Sequence, residues 1–168
     1  GGRGMEIVYD TESLRDYFAS LTPSAEQQIR TRRLTAPQGG NAYDSLMTAW
    51  QADPGHLRLP PTIDRLIGAL GDEAVRQIGS DQDARARESI ARASRLAERT
   101  QRSDGAAMQA LRADVLRATN ARVDRAGKAY DREAALRAVE HAKGFGLDAP
   151  AGRALSPRAA RIPQPRGR

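Results

Sequence analysis

The chain has 168 residues, 27 Lys+Arg against 21 Asp+Glu, and a net charge of +6, of which only Lys128 and Lys143 are lysines. Zero cysteines exclude a disulfide scaffold, a thiolate metal site and a cysteine nucleophile, and the 28 Leu, Ile, Val and Phe residues are about 17% of the chain, too few for a large core. No apolar run approaches the roughly 18 residues of a membrane span, and no signal-peptide core is visible, so the expected location is the cytoplasm.

In chain order, Glu6-Ile7-Val8-Tyr9 reads as a short β segment. Asp10 then caps a helix to about Leu21, with Leu14, Phe18 and Leu21 on one face. Ser24-x-x-Gln27 is a capping box opening a second short helix toward Arg33. After the Pro37-Gln38-Gly39-Gly40 linker, Asn41 caps a third helix carrying Tyr43, Leu46, Met47 and Trp50, which read as core. Pro54-Gly55 and Pro60-Pro61 punctuate the chain before the clearest amphipathic stretch: Ile63, Leu66, Ile67, Leu70, Ala74, Val75 and Ile78. Gly79 reads as the glycine that ends this helix and Asp81 as the next cap. Ala86, Ile90, Ala93 and Ala97 then share a face, followed by a cap at Ser103 or Asp104 and a stripe of Met108, Leu111, Val115 and Ala118. A last helix runs from Asp131 to Lys143, with Gly144 as its stop. Residues 144–168 carry Pro150, Pro157, Pro163 and Pro165 among glycines and arginines and show no periodic face, a disordered-tail composition.

The expected fold class is therefore mainly α: a short N-terminal β segment, a bundle of short helices, an Ala/Arg-rich helical hairpin and a disordered basic C-terminal tail. The expected divisions are residues 1–21, 22–80, 81–143 and 144–168.

Gly1-Gly2-Arg3-Gly4-Met5-Glu6-Ile7-Val8-Tyr9-Asp10, followed by Leu14-Arg15 and Tyr17-Phe18, resembles a segment of the second ATP-grasp half of the carbamoyl-phosphate synthase large chain. The resemblance covers about the first 20 residues and implies that Gly1 and Gly2 belong to a phosphate-covering loop and that Met5 lies near the nucleotide. Glycines let backbone N–H groups close over phosphates. The family's Arg-Pro-Ser strand would precede residue 1, and after Leu21 the magnesium-holding carboxylates and asparagine of that family have no counterpart. No cofactor is expected for this chain by itself; ATP and magnesium enter only if the family segment continues on a parent chain. Beginning at Gly1 rather than methionine, the sequence reads as a piece of something longer.

The arginines raise a second possibility. Arg85, Arg92 and Arg99 repeat every seven residues, with Arg95 and Arg102 beside them, a stripe suited to phosphates. Six acid-to-base pairs at i,i+4 spacing (Asp81–Arg85, Asp83–Arg87, Glu88–Arg92, Glu98–Arg102, Asp124–Lys128 and Glu133–Arg137) would use up much of that charge. In the tail, Arg153, Arg158, Arg161, Arg166 and Arg168 have only Asp148 nearby. Without interleaved aromatics there is no stacking platform, so sequence-specific binding is not implied. A helix-turn-helix around Gly79-Ser80 would put Asp81 and Asp83 against phosphates with the wrong sign.

Catalytic candidates are none. His56 and His141 lack a second histidine at metal spacing, no nucleophile elbow or phosphate-loop Lys-Ser/Thr pair occurs, and Glu133 and Glu140 are about 10 Å apart along a helix. The expectation is a non-catalytic helical interaction protein. It binds a protein or nucleic-acid partner through helices 81–143, its tail is drawn to an anionic partner or membrane surface, and it is compatible with a homo-oligomer. The alternative is a fragment or fusion of a carbamoyl-phosphate-synthase-like ligase.

Overall fold

In a computed structural model of the chain, the described residues are 10–147 and 149–163, and for 149–153 the description covers the backbone alone. All of the described regular structure is helical. The expected β segment at Glu6–Tyr9 lies outside the described residues. The chain divides into two compact units, residues 1–63 and 64–168.

The first unit is built on α1 (Thr11–Arg30) and α2 (Ala42–Ala52). Asp10 caps α1 as its position suggests, accepting from the Ser13 N–H at 2.7 Å, and that bond holds its carboxyl below the ordinary carboxylate range. The two helices expected on either side of Ser24 are one. Pro23 lies inside α1 on its exposed side, and the capping box at Ser24 is unused. A proline there forfeits one helical hydrogen bond. Burial of Leu21, Thr22, Ala25 and Ile29, on the helix that packs along α2, carries the chain through it.

The two helices run antiparallel: the N–H groups of Ala42 and Tyr43 donate to the carbonyls of Arg33 and Leu34, Ser45 donates to Gln28 at 2.8 Å, and the far end of α2 reaches Phe18 and Thr22. Asn41 caps α2 from a buried position. Its Oδ1 accepts from the Asp44 N–H at 2.8 Å, and its amide donates to the Pro37 carbonyl at 2.9 Å. Tyr43, Leu46 and Ala49 are core, whereas Met47 and Trp50 are half-buried.

α3 (Leu59–Gly79) begins before its prolines rather than after them. Pro60 and Pro61 occupy its first turn, where N–H groups have no helical acceptor to lose. Arg58 donates to both Glu26 oxygens at 3.0 Å, and the Thr62 hydroxyl reaches the same carboxylate at 3.2 Å.

The second unit takes the rest of α3 and adds α4 (Asp83–Arg99), α5 (Ala106–Lys128), α6 (Arg132–Ala142), a 3-10 turn over Lys143–Phe145 and α7 (Ala149–Ala160). Helix α3, at about 31 Å, is longer than the short helices expected over residues 22–80. Most of the expected faces are buried, Leu66, Ile67, Leu70, Ala74 and Ile78 on α3, Ala86, Ile90, Ala93 and Ala97 on α4, and Met108, Leu111 and Val115 on α5, whereas Val75 and Ala118 are half-buried. A Cβ at buried Gly71 would stand 3.4 Å from Leu111 Cγ, an ordinary van der Waals contact.

Helix ends depart from expectation in one repeated way. In α1, α3, α4 and α5 the last turn closes with paired backbone bonds. These are Arg33 to Gln28 with Arg32 to Ile29, Gln82 to Gln77 with Asp81 to Ile78, Arg102 to Ala97 with Gln101 to Glu98, and Asp131 to Ala126 with Tyr130 to Gly127. This is the Schellman closure, whose left-handed residue is usually glycine. Here it is Arg32 (φ 63°), Asp81 (φ 59°), Gln101 (φ 60°) and Tyr130 (φ 54°). Gly79 is thus the last helical residue and not the left-handed stop, and Asp81 is not the cap of α4. Gly146 (φ 68°), rather than Gly144, ends the turn after α6.

The expected disordered tail is corrected over its described part. α7 lies against α5 and α6, with Leu155, Ala159 and Ile162 buried at steps of four and three. Arg132 clamps the end of this segment, donating to the Ile162 carbonyl at 2.7 Å.

Candidate functional site

Of the six intrahelical pairs expected, one forms among the described residues: Glu88 with Arg92, at 2.9 Å. Three of the other acids, Asp81, Asp83 and Asp124, have partners far along the chain instead, and so does Asp64. Asp83 and Asp81 both engage Arg122 of α5, Asp64 of α3 engages Arg102, and Asp124 engages Arg158 of α7.

The centre of this network is Asp83, at the first turn of α4. Its carboxylate faces the Arg122 guanidinium, and both side chains are nearly buried, 13% and 12% exposed. Arg122 also lies 3.0 Å from the Asp81 carboxylate, His141 Nε2 lies 3.4 Å from Asp83 Oδ2, and Arg87 lies 3.2 Å from His141 Nδ1. Burial alone would raise the Asp83 carboxyl; the hydrogen bond and charge of Arg122, with His141 and Arg87 beside it, outweigh burial and hold it below the ordinary carboxylate range. A carboxylate so neutralised is a poor base, and the cluster ties α4, α5 and α6 together. No buried side-chain nitrogen or oxygen among the described residues lacks a hydrogen-bond partner, and no group of three metal-binding side chains is found among them.

Engagement of Asp81 by Arg122 leaves Arg85 free at the start of the outer face of α4. Because residues 86, 89, 90, 93, 96 and 97 are buried, the opposite ridge carries Arg85, Glu88, Arg92, Arg95 and Arg99. Arg85, Arg95 and Arg99 are exposed, and no acid pairs with them among the described residues. They span about 21 Å along the helix. Arg92, half-buried and paired to Glu88, belongs to the ridge but contributes less free charge.

The tail arginines separate. Arg158 is bound to Asp124 and Asn120, contrary to the expectation that nothing neutralises it, because α7 packs beside α5. Arg161 is exposed. Arg153 lies within α7 and its side chain is not described, while Arg166 and Arg168, like Gly1, Gly2 and Met5, lie outside the described residues.

A second concave feature belongs to the first unit. A groove of about 430 Å³ is lined by Phe18, Thr22, Ala49 and Leu59, with Arg15, Asp53 and His56 also on its wall. Leu14 and Phe18, expected on one face with Leu21, are 39% and 37% exposed, whereas Leu21 is buried. No described helix is long and apolar enough to cross a membrane.

Sequence reasoning located the arginine ridge by its seven-residue repeat. It missed the Asp83–Arg122–His141 cluster, since Asp83 and Arg122 are 39 positions apart and nothing local marks them as partners. Comparison with protein-family models, with curated proteins and with solved structures finds no match to this chain.

Proposed function

We propose that this is a non-catalytic helical binding protein whose second unit attaches to the phosphate backbone of a nucleic acid through the outer ridge of α4. The observation that carries this reading is the exposed row of Arg85, Arg95 and Arg99, none of which pairs with an acid among the described residues; Arg85 is left so because Asp81, four residues before it, is committed to Arg122. Three guanidinium groups over about 21 Å lie along a length that holds roughly six phosphates of one strand of a duplex. Residues 64–168 hold 21 Lys and Arg against 14 Asp and Glu, so the surrounding field has the same sign. A membrane surface is a weaker match, because the apolar face of α4 is already buried and has nothing to insert into lipid. No aromatic side chain interleaves with the arginines of α4, so the binding is expected to be indifferent to base sequence.

The test is binding of a labelled nucleic-acid duplex by the chain and by its Arg85→Gln/Arg95→Gln/Arg99→Gln variant. Loss of most of the affinity, with helix content unchanged, supports the assignment to α4. Equal affinity for the two proteins refutes it.

A further inference from the structure

Of the seven polar residues buried among the described ones, six bond within the protein. The hydroxyls of Thr62, Thr100 and Thr119 donate to the carbonyl four residues before each, Ser45 and Ser89 reach Gln28 and Gln77, and Asn41 caps α2. The seventh is Thr22, only 4% exposed, whose hydroxyl has no partner among the described residues. Every fully enclosed side-chain nitrogen or oxygen among them is hydrogen-bonded, so this hydroxyl opens onto the groove that Thr22 lines. Ala19 lines the same groove, and its carbonyl loses its helical donor because Pro23 has no N–H.

Charges of both signs stand on the wall. Arg15 pairs with no acid and Asp53 with no cation among the described residues. His56 Nδ1 accepts the Arg58 N–H at 3.2 Å, which leaves Nε2 to donate. Asp53 follows the last turn of α2, where no basic side chain meets the negative end of the helix. Phe18, Ala49 and Leu59 supply apolar wall, and the volume of about 430 Å³ falls within the roughly 300–1,000 Å³ of small-molecule sites. We propose that the groove binds a free α-amino acid with an apolar side chain. Its carboxylate meets Arg15 and His56 Nε2, its ammonium meets Asp53 with the Thr22 hydroxyl and the Ala19 carbonyl, and its side chain lies against Phe18, Ala49 and Leu59. A ligand of one charge sign would leave either Arg15 or Asp53 unanswered, and each end of a peptide carries only one of the two charges. The site belongs to the first unit and does not depend on the anion-binding role of α4.

Titration of the full chain with phenylalanine, followed by NMR, tests the proposal. Saturable shifts around the groove are expected. Phenylalaninamide and N-acetylphenylalanine, each lacking one charge, should bind about tenfold more weakly or worse. Arg15→Gln should remove the discrimination against the amide, and Asp53→Asn the discrimination against the acetylated compound. Thr22→Val separates ligand binding from folding. Because the hydroxyl has no protein partner, valine should leave stability in urea undiminished while weakening phenylalanine binding by about threefold or more. Absence of saturable binding up to the solubility limit, equal binding of the three compounds, or a Thr22→Val chain that is destabilised or binds as tightly as before overturns the proposal.

Discussion

Residues without a glycine's freedom close four of these helices. Arg32, Asp81, Gln101 and Tyr130 all hold φ between 54° and 63°, a region that costs an L-residue with a Cβ roughly 1–2 kcal/mol. Gln101 is exposed and its side chain has no partner among the described residues, so only the backbone matters there. Gln101→Gly is therefore expected to stabilise the protein by about 1 kcal/mol in urea denaturation, and a loss of stability would contradict the assigned closure. Asp83 offers a second test at this scale. Its folded carboxyl sits below its value of 3.8 in the unfolded chain, so the stability it contributes is complete above that value and is lost as pH falls through the folded pKa. The stability gap between the chain and Asp83→Asn should be constant near neutrality and narrow as the solution is acidified below about pH 4. A gap that holds its size into acid would mean that Arg122 and His141 do not hold the carboxylate.

Among the elements, α7 is the one that composition conceals. Four prolines and five arginines over residues 144–168 read as a tail, yet Leu155, Ala159 and Ile162 repeat at helical steps and are buried. Leu155→Ala is expected to cost about 2–5 kcal/mol, the range for a buried leucine, whereas a loose tail would register nothing. What was legible in the sequence is what is local. The caps at Asp10, Asn41 and Asp131 each rest on a bond to a residue three positions on, and the buried stripes of α3, α4 and α5 follow the helical period. What was illegible depends on distant partners. Pro23 stays within a helix because that helix packs along α2, and Asp83 forsakes Arg87, four residues away, for Arg122 because α5 brings a guanidinium against it. The arginine ridge was visible as a repeat, and Arg95 and Arg99 have no acid four residues before them, but the freedom of Arg85 followed only from the long-range choice of Asp81.

At the scale of the whole molecule, the surplus of positive charge is not shared. Residues 1–63 hold 6 basic and 7 acidic side chains, while 64–168 hold 21 and 14. The basic unit spends its acids internally, on Arg102, Arg122 and Arg158, and presents cations outward along α4. The near-neutral unit presents an apolar face of mixed charge instead. The α4 surface is thus the one suited to a polyanion. The central claim is that α4 engages phosphates through Arg85, Arg95 and Arg99, and its most direct test is the salt dependence of duplex binding. Each neutralised phosphate contributes close to one unit to the slope of log K against log salt, so replacing the three arginines with glutamine should flatten that slope by about 3. A slope unchanged by the replacement would contradict the claim.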